Sequence, residues 1–126
     1  GLKILVVEDE RGVRLLLQRV LEDAGATVTV VVSIAEALAE LERGAPDVLL
    51  SDIRMPGGGG YDLIRRVRAL PAESGGRTPA IAVSASVGDE EIPKIFAAGF
   101  QKFVCKPFEV SELRDAIAAV TGRQGA

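Results

Sequence analysis

The chain has 126 residues, of which 48% are hydrophobic, and a net charge of −3. These values fit one compact domain and exclude a disordered chain and a basic nucleic-acid-binding surface. The chain contains no histidine, which excludes Ser-His-Asp and Cys-His catalysis, most zinc sites and a phosphohistidine within the chain. No apolar run approaches the roughly 18 residues of a membrane span, and no secretory leader precedes the first run. We therefore expect a single cytoplasmic domain over residues 1–126 that contacts neither nucleic acid nor a membrane.

Five short apolar runs alternate with amphipathic segments along the chain. The runs cover residues 4–7, 28–32, 48–50, 81–83 and 103–105. Most are rich in β-branched or aromatic residues and apolar on both faces, which is typical of strands that lie between two layers of helices.

A helical pattern follows each run. The stripe of the first helix consists of Val13, Leu16, Leu17, Val20, Leu21 and Ala24. Ser33 and Glu36 have the spacing of a capping box that opens the second helix, and the apolar residues within 63–70 form the stripe of the third. Pro93 cannot lie deep in a helix, so we expect the fourth helix to begin near Ile92. The stripe of the fifth helix consists of Val110, Leu113, Ile117 and Val120.

Five repeats of strand and helix predict an α/β fold, a doubly wound parallel sheet with helices on both faces. In such sheets, ligands bind outside the carboxyl ends of the strands. The polar residues at these ends are Glu8, Asp9, Asp52, Ser84 and Lys106.

These five polar residues have complementary chemistry. Carboxylates a few ångströms apart repel, and each raises the pKa of its neighbours unless a cation neutralises them. Mg²⁺ prefers oxygen ligands and is usually held by one or two carboxylates together with a phosphate. A lysine supplies a compact positive charge for one phosphate oxygen, and a small hydroxyl can donate to another. The group therefore predicts a magnesium-dependent phosphoryl-transfer site.

Four segments resemble the signature motifs of response-regulator receiver domains, in the same order and with the same spacing. They are Leu5-Val6-Val7-Glu8-Asp9-Glu10, Asp52-Ile53-Arg54-Met55-Pro56-Gly57, Ala82-Val83-Ser84-Ala85 and Lys106-Pro107-Phe108. The resemblance covers residues 2–121, the core of the expected domain. It implies a flavodoxin-like, five-stranded parallel sheet in the order 2-1-3-4-5, with five helices.

The resemblance also implies a metal site and a phosphoacceptor. Asp52 matches the phosphoacceptor, and Asp9 and Asp52 match direct ligands of Mg²⁺. Glu8 would act on the metal through a water molecule, and the backbone carbonyl of Arg54 would complete the protein ligands.

Further matches concern the phosphoryl group and the response to it. Lys106 and the hydroxyl of Ser84 would contact the phosphoryl oxygens. Ser84 and Phe103 match the pair of switch residues, and the bond before Pro107 matches one that is cis in the family.

The function implied is that of a phosphoacceptor in a two-component phosphorelay, not of an enzyme. The phosphoryl donor would be a sensor histidine kinase or a histidine phosphotransfer protein. Phosphorylation would switch the surface of the fourth helix, fifth strand and fifth helix, in a monomer or a weak phosphorylation-dependent homodimer. Residues 60–65 and 97–100 look most like the receivers of hybrid sensor histidine kinases.

Some residues depart from the usual family pattern. Gly58 and Gly59 stand where a large apolar residue and an acid are more common, so we expect an unusually mobile loop after Asp52. Ser84 replaces the commoner threonine and Phe103 the commoner tyrosine, which predicts looser coupling between the phosphate and the output surface.

Two further features have structural interpretations. We expect Cys105 to be a packed, small apolar side chain in a buried strand. We interpret Arg65, Arg66 and Arg68 as a solvated face of the third helix.

Two other functions are compatible with this group of residues. A degenerate receiver would bind partners without phosphorylation, but it usually lacks the acceptor, an acid or the lysine, and all are present here. A magnesium-dependent phosphohydrolase with an aspartyl nucleophile typically has a second acid two residues after it. That position is Arg54 in this chain.

Overall fold

Every predicted strand and helix is present in the computed structural model, which describes residues 1–55, 59–85 and 87–122. The strands are β1 (Lys3–Val7), β2 (Thr27–Val31), β3 (Val48–Asp52), β4 (Ala80–Ser84) and β5 (Lys102–Cys105). The helices are α1 (Arg11–Asp23), α2 (Ile34–Arg43), α3 (Gly60–Arg68), α4 (Glu91–Ala98) and α5 (Val110–Thr121), with a 3-10 turn at Ala72–Ser74. Among the described helices, none is long and apolar enough to cross a membrane.

The strands form one parallel sheet in the order β2-β1-β3-β4-β5, which confirms the flavodoxin-like order. The register pairs Val7 with both Val31 and Ser51, and pairs Asp52 with Val83. Because the strands are parallel and end at similar heights, their carboxyl ends lie at one edge of the sheet.

Helices on the two faces of the sheet create two hydrophobic cores. The first core lies under α1 and α5, and its helical members include Leu17, Leu21, Leu113 and Ile117. The second lies under α2, α3 and α4, and its helical members include Leu41, Leu63, Ile64 and Ile95. Successive residues of a strand point to opposite faces, so Val6 belongs to the first core, whereas Leu5 and Val7 belong to the second. Every residue of β3 and β4 is buried, which explains why these strands lack a polar face.

Capping residues and a proline determine two helix starts. The hydroxyl of Ser33 caps α2 by accepting a hydrogen bond from the backbone N–H of Glu36 at 3.2 Å, which is one half of the predicted capping box. The Glu36 carboxylate accepts from the N–H of Val32, at 3.4 Å, and not from that of Ser33. Helix α4 begins at Glu91, one residue before the predicted Ile92, and Pro93 is its third residue. A proline fits there because N–H groups in the first turn have no partner inside the helix.

Three side chains predicted to be buried lie on the surface. Leu16 in α1 is 52% exposed, and Val110, the first residue of α5, is 45% exposed. Leu17 and Leu21 occupy the buried face of α1, and Leu16 lies about 100° round the helix from Leu17. Cys105 is exposed because it lies at the end of β5, which has one neighbouring strand in the sheet.

Arg68 was predicted to be solvated, but its side chain ties the end of α3 to two other segments. Its Nε and Nη2 donate to the carbonyl of Gly99 at 3.0 and 2.8 Å. Its Nη1 donates to the carbonyls of Thr78 and Gly76 at 2.7 and 3.1 Å. The guanidinium thereby fixes the segment before β4 and the turn after α4.

We predict that Arg68→Met lowers the free energy of unfolding by about 2 kcal/mol, because three carbonyls lose a charged donor. Urea denaturation followed by circular dichroism measures this change. Arg66→Met is the matched control, since its 3.5 Å ion pair with Asp62 is exposed and should contribute less than about 0.5 kcal/mol. Equal destabilisation by the two substitutions would contradict the role of Arg68.

Candidate functional site

The residues predicted at the strand ends come together at the carboxyl edge of the sheet. Glu8 directly follows β1, and its N–H donates to the carbonyl of Val31 at 3.1 Å. Asp52 and Ser84 are the last residues of β3 and β4. Lys106 directly follows β5, and its N–H donates to the carbonyl of Ser84 at 2.7 Å. Backbone pairing alone therefore places these side chains beside one another.

Three acids form the centre of the site. Carboxylate oxygens of Glu8, Asp9 and Asp52 lie within 4.8 Å of one another. Glu8 is 1% exposed and Asp52 is 8% exposed, whereas Asp9 lies on the surface. Carboxylate oxygens suit Mg²⁺, which is a hard cation that prefers oxygen ligands.

Lys106 opposes part of this negative charge. Its Nζ lies 2.8 Å from Oε1 of Glu8 and 3.3 Å from Oδ2 of Asp52. Burial lowers the pKa of Lys106, but the hydrogen bond and charge of Glu8, together with Asp52, raise it above the ordinary value overall. Burial raises the pKa of Glu8, and the hydrogen bond from Lys106 offsets part of that effect. Three carboxylates and one ammonium leave a formal charge of −2, which a divalent cation would neutralise.

Backbone hydrogen bonds orient the two buried carboxylates. The N–H of Arg54 donates to Oδ1 of Asp52 at 3.2 Å, so Lys106 and Arg54 hold different oxygens of the same group. The N–H of Glu10 donates to Oε2 of Glu8 at 3.1 Å. Each acid is therefore held in one orientation before any ligand binds.

The side chain of Arg54 reaches from the site to α4, which the sequence analysis missed. Its Nη1 donates to Oγ of Ser84 at 3.2 Å, and its Nη2 donates to Oε1 and Oε2 of Glu91 at 3.0 and 3.3 Å. The hydroxyl of Tyr61 donates to Oε2 of Glu91 at 3.0 Å. Burial, together with the hydrogen bond to Glu91, raises the pKa of Tyr61 to about 12. The one signal in the sequence was a basic residue two positions after Asp52.

Of the remaining predicted residues, Phe103 lies within β5 and Pro107 follows that strand. Phe103 is half-buried, and its ring meets that of Phe96 edge-on, with centroids 6.1 Å apart and an interplanar angle of 70°. The register places Cys105, and not Phe103, opposite Ser84. The peptide bond between Lys106 and Pro107 is cis.

The glycine run after Asp52 is only partly described. Gly59 has a φ of 104°, which favours glycine, and an added Cβ would lie 2.3 Å from the carbonyl oxygen of Ile53. The predicted mobility concerns the run of residues 57–60, of which residues 57 and 58 lie outside the described residues and Gly60 is the first residue of α3.

The chain is similar to known proteins over most of its length. The family model described as the response regulator receiver domain matches residues 4–118. An uncharacterized 14.6 kDa protein in the sodA1 3′ region of Leptolyngbya boryana is 44% identical over 110 residues, which cover 87% of this chain and 82% of that protein. The sensory/regulatory protein RpfC of Xanthomonas campestris pv. campestris is 34% identical over 126 residues. This alignment covers 98% of the present chain and 17% of RpfC.

A solved structure shares the fold throughout. The receiver domain of the sensor histidine kinase PA1611 from Pseudomonas aeruginosa superposes with a TM-score of 0.87 and 32% identity, covering 98% of this chain and 99% of that one. That crystal structure has a magnesium ion coordinated in its active site cleft. A family match over residues 4–118, together with the sheet order of a solved receiver, establishes that this chain belongs to the response regulator receiver domain family, whose members are signalling domains of two-component systems and not classical enzymes.

Proposed function

We propose that this chain accepts a phosphoryl group on Asp52 from the phosphohistidine of a sensor histidine kinase or a histidine phosphotransfer protein. The observation that carries the proposal is the Asp52 carboxylate itself. It lies at the end of a central strand, 8% exposed, with one oxygen held by the N–H of Arg54 and the other by Lys106. Two further acids lie beside it.

The chemistry requires alignment more than proton transfer. An Asp52 oxygen attacks phosphorus, the new O–P bond forms as the P–N bond of phosphohistidine breaks, and the imidazole leaves neutral when its other ring nitrogen is protonated. Because phosphohistidine is an energetic donor, Asp52 needs no strong general base. The remaining obstacle is repulsion between the carboxylate and the phosphoryl oxygens, and Lys106 and the hydroxyl of Ser84 reduce it by contacting those oxygens.

Asp9, Asp52 and the backbone carbonyl of Arg54 would hold Mg²⁺ directly, with Glu8 acting through a water molecule. When bound there, the ion supplies positive charge opposite the carboxylates and the phosphoryl oxygens. Support for this assignment comes from the cluster of carboxylates and its formal charge of −2.

The wider setting also belongs to the proposal. We propose a cytoplasmic domain that acts as a monomer or a weak phosphorylation-dependent homodimer and signals through α4, β5 and α5, with Ser84 and Phe103 as its switch. Because the chain spans 17% of the length of RpfC, the activities of such larger proteins are not transferred to it.

The structure offers less support for the two alternative functions. A phosphohydrolase would place a second acid where Arg54 contacts Ser84 and Glu91. A degenerate receiver would lack part of the group formed by Glu8, Asp52 and Lys106.

We predict that the purified protein gains one phosphoryl group when incubated with Mg²⁺ and acetyl phosphate, as measured by intact mass. Asp52→Asn should abolish labelling because the nucleophilic oxygen is lost, and Lys106→Ala should slow it by at least about tenfold. Asp62→Asn, which changes an exposed acid of α3, is the control and should label as wild type does. Full labelling of the Asp52→Asn protein would contradict the assignment of Asp52 as the phosphoacceptor.

We also predict that Asp52→Asn stabilises the protein in EDTA by about 1 kcal/mol, because one of three mutually repelling carboxylates is neutralised. Lys106 keeps its 2.8 Å contact with Glu8 in this variant, so the lysine stays paired. Added Mg²⁺ should raise the melting temperature of the wild type and have much less effect on the variant. Denaturant and thermal melts measure both effects, and destabilisation in EDTA would show that the acids do not repel as proposed.

A further inference from the structure

The guanidinium of Arg54 links the phosphoacceptor site to the first residue of α4. Its Nη1 donates to Oγ of Ser84, while its Nη2 forms a two-oxygen contact with Glu91 at 3.0 and 3.3 Å. The Glu91 side chain is 17% exposed, and that of Arg54 is 61% exposed. A largely buried carboxylate therefore holds a cation whose other end already lies at Ser84.

Glu91 is itself held from a third element. The hydroxyl of Tyr61, in the first turn of α3, donates to Oε2 of Glu91 at 3.0 Å. Its two oxygens therefore accept hydrogen bonds from both Tyr61 and Arg54, which fix the carboxylate beside the guanidinium.

A phosphoryl group on Asp52 would be a second anion within reach of this arginine. The backbone of Arg54 contacts the Asp52 carboxylate at 3.2 Å, and its side chain contacts Ser84, which the proposed function assigns to the phosphoryl oxygens. Guanidinium groups bind phosphoryl oxygens through paired N–H donors at least as well as they bind carboxylates. Glu91 and the phosphoryl group would thus compete for the same donors.

We infer that Arg54 is a further phosphoryl-binding residue, and that Glu91, held by Tyr61, binds its guanidinium until the phosphoryl group is present. In the unphosphorylated protein, Nη2 is bound to Glu91; once the phosphoryl group is present, Nη2 exchanges Glu91 for a phosphoryl oxygen. The exchange releases the start of α4 from β3 and β4. This inference rests on Asp52 being the phosphoacceptor.

A purely structural bridge would behave differently. If Arg54 and Glu91 served only to fix α4, loss of either partner would loosen the helix, and neither loss would improve binding of a phosphoryl analogue. Competition predicts that loss of the Glu91 carboxylate tightens binding of the analogue and that loss of the Arg54 guanidinium weakens it. It also predicts that the effect of Glu91 disappears when Arg54 is absent.

The experiment measures the dissociation constant of beryllofluoride, a phosphoryl mimic, for the full chain at saturating Mg²⁺ by amide NMR titration. Glu91→Gln should tighten binding by about tenfold, and Arg54→Met, which keeps the backbone carbonyl, should weaken it by about tenfold. Tyr61→Phe loosens Glu91 without changing any charge and should tighten binding by about threefold. In the Arg54→Met background, Glu91→Gln should have no further effect.

Glu90→Gln is the matched control, since it removes one charge from the adjacent, exposed position at the start of α4. Its dissociation constant should stay within about twofold of wild type. If the amide spectrum shows that Arg54→Met does not fold, Arg54→Lys and Tyr61→Phe test the same competition. The Arg54→Lys protein should then retain part of the wild-type affinity.

The inference is overturned if Arg54→Met binds beryllofluoride as wild type does, or if Glu91→Gln tightens binding equally without Arg54. If beryllofluoride binds the wild type but not Asp52→Asn, either of these outcomes counts against the inference alone and not against the proposed function. If folded wild type does not bind the mimic, the proposed function fails and the inference fails with it.

Discussion

Repulsion among carboxylates at one edge of a parallel sheet is the constraint on which the rest of this structure depends. The register of β1 and β3 brings Glu8 and Asp52 to that edge, where both are nearly buried. Like charges with little solvent around them raise the free energy of the folded state unless a cation lies between them. Lys106, at 2.8 and 3.3 Å from the two acids, reduces this cost without cancelling it. The proposed binding of Mg²⁺ rests on this uncompensated charge.

The pairing of Arg54 with Glu91 also affects the net charge around the acid cluster. An arginine two residues after Asp52 is close enough to neutralise the acid cluster, and it would then weaken the attraction for a metal ion. Glu91, fixed by Tyr61, directs the guanidinium toward α4 instead. The acids therefore keep their excess charge although a second cation is attached to the same strand end.

The sequence was sufficient where local rules or the parallel sheet determine position. Strand ends in a parallel sheet meet at one edge, and this rule alone predicts that Asp52 and Lys106 lie together. The sequence did not predict side-chain contacts between residues that are far apart in the chain. Arg68 binds Gly99, 31 residues away, and Arg54 binds Glu91, 37 residues away. Composition and periodicity carry no information about such pairs, because each long side chain reads equally well as solvated.

The separation of the two cores has a mechanical consequence. The contacts that join Arg54, Tyr61 and Glu91 all lie among elements that pack on one face of the sheet, whereas α1 and α5 pack on the other. Neighbouring residues of β5 divide in the same way, with Phe103 against the second core and Val104 in the first. Within the proposed signalling surface, β5 is therefore the strand that contacts both layers, with Phe103 on the side of α4 and Val104 on the side of α5.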